Sequence, residues 1–185
     1  IDLSVGGVIG VAGVVIGTLI NSGHTLLAFF AGVAVALIFG LVNGLLTTIF
    51  RLPSFLCTLC VMFVASGIQQ YFTLKQIIYV KTADVKGLDN IWLKIAVAVI
   101  CIIICYIIFS YTTIGKNNIA MGGSLTASRF SGVKINKDRI LAFLIAAVLV
   151  GIAAFFMVVR TKTVASSFAN GVQFDVLTSM VLGGM

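Results

Sequence analysis

The chain has 185 residues, of which 61% are hydrophobic and only 9% charged, and it carries a formal net charge of +7. A soluble domain has about 25% charged residues, so this composition excludes a soluble globule. Nucleic acid is excluded as a partner too: the positive charges are confined to loops, where they set topology or meet lipid head groups, and they leave no basic face to lie on DNA.

The distribution of charge sets the architecture. Residues 3–50, 52–74, 95–115 and 140–159 contain no Asp, Glu, Lys or Arg. A helix needs about 20 apolar residues to cross a hydrocarbon core about 30 Å thick. One double-length and three single-length gaps predict five spans of an all-α, polytopic transmembrane protein. The start of a sixth helix follows. The chain opens at Ile1 and stops at Met185 inside an apolar run, so a fragment of a larger membrane subunit is expected. Residues 1–185 are read as one transmembrane domain, interrupted by a long polar loop at 115–138.

Span one is expected over Leu3–Ile20, with Asp2 as its cap. Gly6, Gly10, Gly13 and Gly17 fall on one helical stripe, where small residues let another helix approach closely in lipid. Asn21 to His24 form a turn, and His24, the only histidine, has no neighbouring ligand that would make it a metal site. Span two, Leu26–Phe50, repeats the pattern with Gly32, Ala36, Gly40 and Gly44. Asn43 lies beside that stripe, and a buried amide in a membrane helix must find a partner.

Arg51-Leu52-Pro53 breaks the chain, since Pro53 disfavours helix in Leu52 and can start the next helix. Span three, Ser54–Phe72, contains Cys57, Cys60, Gln69 and Gln70. With no His or acidic residue nearby, Cys57-x-x-Cys60, like Cys101 and Cys105, reads as small hydrophobic residues and not as a metal or redox site. Thr73–Lys94 is expected to be a polar loop, anchored at the head groups by Tyr79 and Trp92. Span four covers Ile95–Tyr111.

The segment from Gly115 to Asp138 is the only long polar stretch between two strongly apolar ones. Gly122 and Gly123 can turn the backbone sharply, Ser124 can cap, and Leu125–Ser131 gives about two helical turns. Gly132 then supplies a left-handed terminator. So short a helix is not stable alone and needs a partner to hold it. Span five is expected over Ile140–Val159 with Asn136 as its cap. A second polar loop, Thr161–Val172, precedes a helix capped by Asp175.

Alternating spans place Arg51 and the 115–139 loop on one face, and the 73–94 and 160–172 loops on the other. Each face then carries six Lys and Arg residues, so charge alone does not orient the protein.

Four collinear motifs carry a family resemblance. Ile1-Asp2-Leu3-Ser4-Val5-Gly6 resembles the IDLSVG signature of ribose-type ABC sugar permeases. Asn43-Gly44-Leu45-Leu46, followed by Arg51-Leu52-Pro53-Ser54-Phe55, resembles their NGLL and R-(I/L)-P-x-F segment. GKNNIAMGGSLTASRFSGVKIN resembles their cytoplasmic G-R-x-x-x-A-I-G-G-N-x-x-A-A-R-x-S-G-I segment. Gly171 to Asp175 and Val181 to Gly184 resemble a later G-x-x-(F/L)-D and V-(V/L)-G-G pattern. Ser124 stands where that family usually has Asn, and Thr126-Ala127-Ser128 departs from its Ala-Ala pattern; serine still caps well.

The resemblance implies a permease subunit of a bacterial inner-membrane importer. It would pair with a second permease subunit, receive sugar from a periplasmic binding protein, and be driven by ATPase subunits on the cytoplasmic side. ATP and Mg would bind to those ATPase subunits, with no cofactor on this chain. The resemblance places the 115–138 loop in the cytoplasm. It makes Gly122, Gly123, Ser124, Leu125, Ala127, Arg129, Phe130 and Gly132 the coupling helix that rests in a groove of the ATPase. A pathway for an uncharged sugar would be lined by neutral polar groups, for which Asn43, Thr47, Gln69 and Gln70 are the candidates.

Two other classes are weaker. A stand-alone ion-coupled secondary transporter needs charged residues within its spans, and these spans have none between their capping positions. A membrane-embedded enzyme needs a convergent nucleophile, base or metal cluster, for which one His, no Glu and scattered Asp give no basis.

Overall fold

A computed structural model describes residues 2–73, 76–81, 85 and 87–184; Lys75, Asp84 and Lys86 of the expected 73–94 loop lie outside them. The chain forms helices because apolar stretches of this length must satisfy their own backbone hydrogen bonds in lipid. In order these are α1 (Val5–Asn21), α2 (Thr25–Ile49), α3 (Ser54–Thr73), α4 (Ile91–Tyr111), α5 (Thr113–Gly123), α6 (Leu125–Phe130), α7 (Ile135–Thr161) and α8 (Val172–Leu182). Two short strands, β1 (Ile78–Tyr79) and β2 (Thr163–Val164), pair antiparallel with Ile78 opposite Val164.

Four of these helices, α2, α3, α4 and α7, are long and apolar enough to cross a membrane. The expected span one is present as well, as a shorter apolar helix. The helix at that position, α1, has 17 residues and is shorter than the spanning helices. It is cut off where Gly23 turns left-handed at φ +81° and its N–H closes onto Ile20 O. Most of α1 is buried, and it packs on α2, α3, α7, α8 and both strands. The core runs along it: Ile16 and Ile20 meet Val158, Val159, Val164 and Phe168.

Helices α2 and α7 make the most extensive pairing in the fold. Small residues permit it: a Cβ added at Gly40 would stand 2.5 Å from Ala147 Cβ, and one at Gly151 would stand 2.6 Å from Val33 Cα. Between α2 and α3 the chain turns at Arg51, a non-glycine residue at φ +54°, and Pro53 O accepts the first α3 bond from Cys57 N. Asn90 caps α4, its Oδ1 accepting from Trp92 N at 3.0 Å.

Three loop expectations are corrected. Thr73–Lys94 is not all loop, because β-branched and aromatic residues at 78–79 and 163–164 favour strand pairing and α4 begins at Ile91. Asn136 does not cap α7: the chain re-enters helix at Ile135, straight after the Gly132–Val133 turn, leaving Lys134 at the N-cap. Asp175 lies inside the first turn of α8, whose N-cap is Gly171 at φ +90°.

The contacts define two ends of the bundle. At one end, Asn21 Nδ2 donates to Tyr79 O at 2.8 Å, and Asp89 pairs with Lys162 at 3.1 Å, so Tyr79 and Asp89 lie at the end that carries Asn21 and β2. At the other end, Arg51, α6 and the start of α7 line one cleft. This is the arrangement that alternating helices require.

Candidate functional site

The polar end of the bundle is built around α6. Ser124 leaves the helical region at φ −158°, ψ 116°, and its Oγ accepts from Ala127 N at 3.3 Å. This is the capping role its residue type favours. At the other end Gly132 takes φ +81°, and Val133 N donates to Ser128 O at 3.1 Å. That i to i−5 bond is the glycine-dependent closure that ends many helices. Ser128 is buried, its Oγ donating to Ser124 O, whereas Phe130 is 89% exposed and Leu125 48%. A six-residue helix therefore presents a large aromatic outward, flanked by exposed Ala127 and Arg129.

Gly122 and Gly123 do not turn the backbone, contrary to expectation. They form the last residues of α5, and the direction changes at extended Ser124. A Cβ on either glycine would meet nothing within 4 Å. The glycine whose lack of a side chain matters here is Gly115, because a Cβ there would overlap the carbonyl of Phe109. This close approach lets α5 fold back from α4 immediately after Thr112.

A polar contact then fixes α5 to the bundle. Asn117 Nδ2 donates to Asp138 Oδ2 at 2.9 Å, and Asp138 is only 6% exposed. Neighbouring Asn118 has a buried Nδ2 with no hydrogen-bond acceptor among the described residues. It lines an open cleft of about 390 Å³ together with Asp2, Met121, Leu125, Arg139 and Phe143. On the other side of α6 lies a second cleft of about 370 Å³. Arg51, Arg129 and Arg139 line it, with Thr47, Thr48 and Asn136, and no acidic side chain contributes to its walls. Three guanidiniums without a carboxylate give this cleft a positive potential. Arg139 also donates to Thr47 O at 3.4 Å, joining α7 to α2.

The four pathway candidates do not converge on one cavity. Asn43, 1% exposed, donates from Nδ2 to Ser4 Oγ at 2.8 Å, and Ser4 Oγ in turn donates to Asp2 Oδ1 at 2.7 Å. Asn43 Oδ1 has no protein donor among the described residues. It lines a void of about 10 Å³ with Asp2, Ser4 and Gly40, a size near that of a single water. Thr47 is buried one turn further on, bonds Asn43 O and reaches the arginine cleft. Gln69 belongs to the opposite end: its Nε2 donates to Ala165 O at 3.0 Å and Phe168 O at 2.9 Å. Gln70 is exposed.

The glycines of α1 meet different partners. Gly6 lies against Gln173, Gly10 against the Gln69 amide, Gly13 against the Phe168 ring, and Gly17 against Ile78 and Val164. Of the α2 set, Gly32 receives Ile16, while Gly40 and Gly44 lie against Ala147 and Ile140 of α7. Sequence reasoning missed α5 and its Asn117–Asp138 anchor. The available signal was Asp138 itself, the one acidic residue in an otherwise basic segment.

Several apolar helices of spanning length, with a capped helical elbow at one end, define a polytopic membrane protein. The chain belongs to the family described as branched-chain amino acid transport system / permease component, which it matches over residues 1–185. It is similar to the ribose import permease protein RbsC of Escherichia coli (strain K12), with 26% identity over all of this chain and 60% of that protein. It is also similar to the L-arabinose ABC transporter permease protein AraH of Azospirillum brasilense and to the autoinducer 2 import system permease protein LsrC of Enterobacter sp. (strain 638). Each of these is 27% identical over all of this chain and 56% of the relative. The chain thus spans between half and two thirds of the length of these relatives. No solved structure matches it.

Proposed function

We propose that the chain is part of a permease subunit of an ATP-binding-cassette importer in the bacterial inner membrane, moving a simple sugar delivered by a periplasmic binding protein. ATP and Mg bind to a partner ATPase subunit, and a second permease subunit completes the pathway. The relatives named for ribose and L-arabinose support the substrate class.

The observation that carries the reading is α6. Its caps fix its shape, yet six residues cannot hold a helix unaided, and its Phe130 ring faces outward at 89% exposure. Such an element fits the groove of an ATPase subunit, with Phe130 and Leu125 as apolar anchors and Ala127 allowing close approach. Gly122, Gly123, Ser124 and Gly132 frame it. The arginine cleft beside it suits an acidic rim on that partner. Movement of α6 reaches the membrane through α5 and Asp138 of α7, and then through Arg139 to α2, as rigid-body displacement of packed helices. The side of the membrane follows: the α6 end is cytoplasmic and the β1–β2 end periplasmic. The sugar's route involves the neutral polar residues Asn43, Thr47, Gln69 and Gln70.

The test is Arg129→Glu combined with Ala127→Asp in the complete transporter. Stimulation of ATP hydrolysis by the loaded binding protein and sugar uptake should both fall at least tenfold, with assembly of the membrane domain intact. Unchanged stimulation and uptake would remove α6 from the coupling role.

A further inference from the structure

A groove between α4 and α7 has features that the transport reading does not use. Helix α4 packs on α5 at one end and buries no residue against the bundle. Between it and α7 lies an open groove of about 470 Å³, walled by apolar side chains including Val97, Cys101, Ile152 and Phe156. The only charged residues in its walls are Lys94 and Arg160, both at the β1–β2 end of the bundle. Lys94 sits in the first turn of α4 and Arg160 in the last turn of α7, so antiparallel helices bring the two cations to one level. Trp92, 74% exposed, marks that level as the head-group layer.

The cluster keeps a positive excess. Asp89 neutralises part of it by pairing with Lys94 and Lys162, and Arg160 is exposed and ion-paired with nothing among the described residues. The groove's length and charge suit a lipid of one leaflet. From Leu149 to Arg160 the α7 wall rises about 16 Å at 1.5 Å per residue. One leaflet is half of a hydrocarbon core about 30 Å thick, so about 15 Å. An acyl chain anchored at its phosphate matches that length, and the two cations at one end call for an anionic head group.

We propose that the α4–α7 groove is a binding site for one anionic phospholipid, with its acyl chain along Val97, Cys101, Ile152 and Phe156 and its phosphate held by Lys94 and Arg160. The site requires only that these residues face the bilayer. It stands whether or not α6 contacts an ATPase.

Spin-labelled phosphatidylglycerol and phosphatidylcholine, offered to the full-length permease in vesicles, measure the preference directly. The wild type should hold phosphatidylglycerol preferentially in the motionally restricted fraction. Each cation contributes about fivefold in affinity, so Lys94→Gln with Arg160→Gln should lower the preference roughly 25-fold. Arg160→Lys should retain it. Ala153→Trp, which fills the groove while leaving both cations in place, should release the bound lipid. Lys116→Gln with Lys134→Gln, at the far end of the bundle, should change nothing. An undiminished preference in the double glutamine variant would overturn the site. So would full preference in Ala153→Trp, since the cations would then act only as surface charge.

Discussion

Asn117 and Asp138 form the one side-chain bond among the described residues that ties α5 to α7, at 2.9 Å, with Asp138 almost wholly buried. Removing Asn117 strands the buried Asp138 carboxylate, which costs about 1–3 kcal/mol, and removing Asp138 takes the acceptor from half-buried Asn117. Asp138→Ala should therefore lower thermal stability, while Asp138→Asn, which keeps an acceptor, should cost much less. A double-mutant cycle with Asn117→Ala should return a coupling energy of about 0.5–3 kcal/mol. Additive losses would show that the bond carries no weight.

Gly115 and Gly122 are seven residues apart, yet their substitution should have opposite signs. Gly115→Ala drives a Cβ into the Phe109 carbonyl, which is backbone and cannot rotate away. Overpacking of this kind costs about 1–3 kcal/mol, so α5 should shift and coupling should fail. Gly122→Ala adds a Cβ in open space within a helix, a change that favours helix by about 0.5–1 kcal/mol. Thermal unfolding of the two single variants separates the cases.

At the opposite end, Gln69→Leu should be among the more damaging substitutions in α3. It removes the donor that satisfies the carbonyls of Ala165 and Phe168, and it does so where Gly10 leaves room only for the present side chain. A loss of about 1–3 kcal/mol is expected, together with faster proteolysis of the 165–170 turn. Protection of that turn equal to wild type would contradict the role.

Asp89 gives a pH dependence whose sign can be worked out. Hydrogen bonds from Lys94, and then from Lys162, hold its carboxyl below the ordinary carboxylate range despite slight desolvation. A carboxyl lowered on folding contributes stability above its unfolded value of about 3.9 and loses it as pH falls through the folded value. Between pH 5 and 7, wild type and Asp89→Asn should differ by a constant margin in unfolding temperature. Below about pH 4 that margin should shrink. A margin that grows in acid would reverse the assignment.

The helices were legible because lipid forbids unpaired charge: the four charge-free stretches contain α1, α2 and α3 and the apolar middles of α4 and α7, whose ends carry charge. The caps of α6 were legible because Ser124 and Gly132 act through their own backbone and their nearest turns. Helix α5 was not. GKNNIAMGG combines glycine and asparagine, both poor helix formers, and its helix is held by Phe109 and Asp138, which no local pattern connects to it. The β1–β2 pairing and the Gln69 clamp escaped for the same reason. Their partners lie more than 80 residues apart in the chain, and only the packed bundle brings them together. Span one was legible to within two residues at each end, but its enclosure was not, since α1 is surrounded mostly by protein.

That enclosure has a consequence for biosynthesis. Among the described elements helix α1 leaves the ribosome first, and α7 and α8 emerge more than 110 residues later. Until then α1 has α2 and α3 beside it, but the face that meets α7 and α8 is uncovered by them. The enclosure of α1 is thus incomplete until α7 closes over it, and a ribosome stalled before residue 160 should leave that face of α1 open to chaperones and proteases.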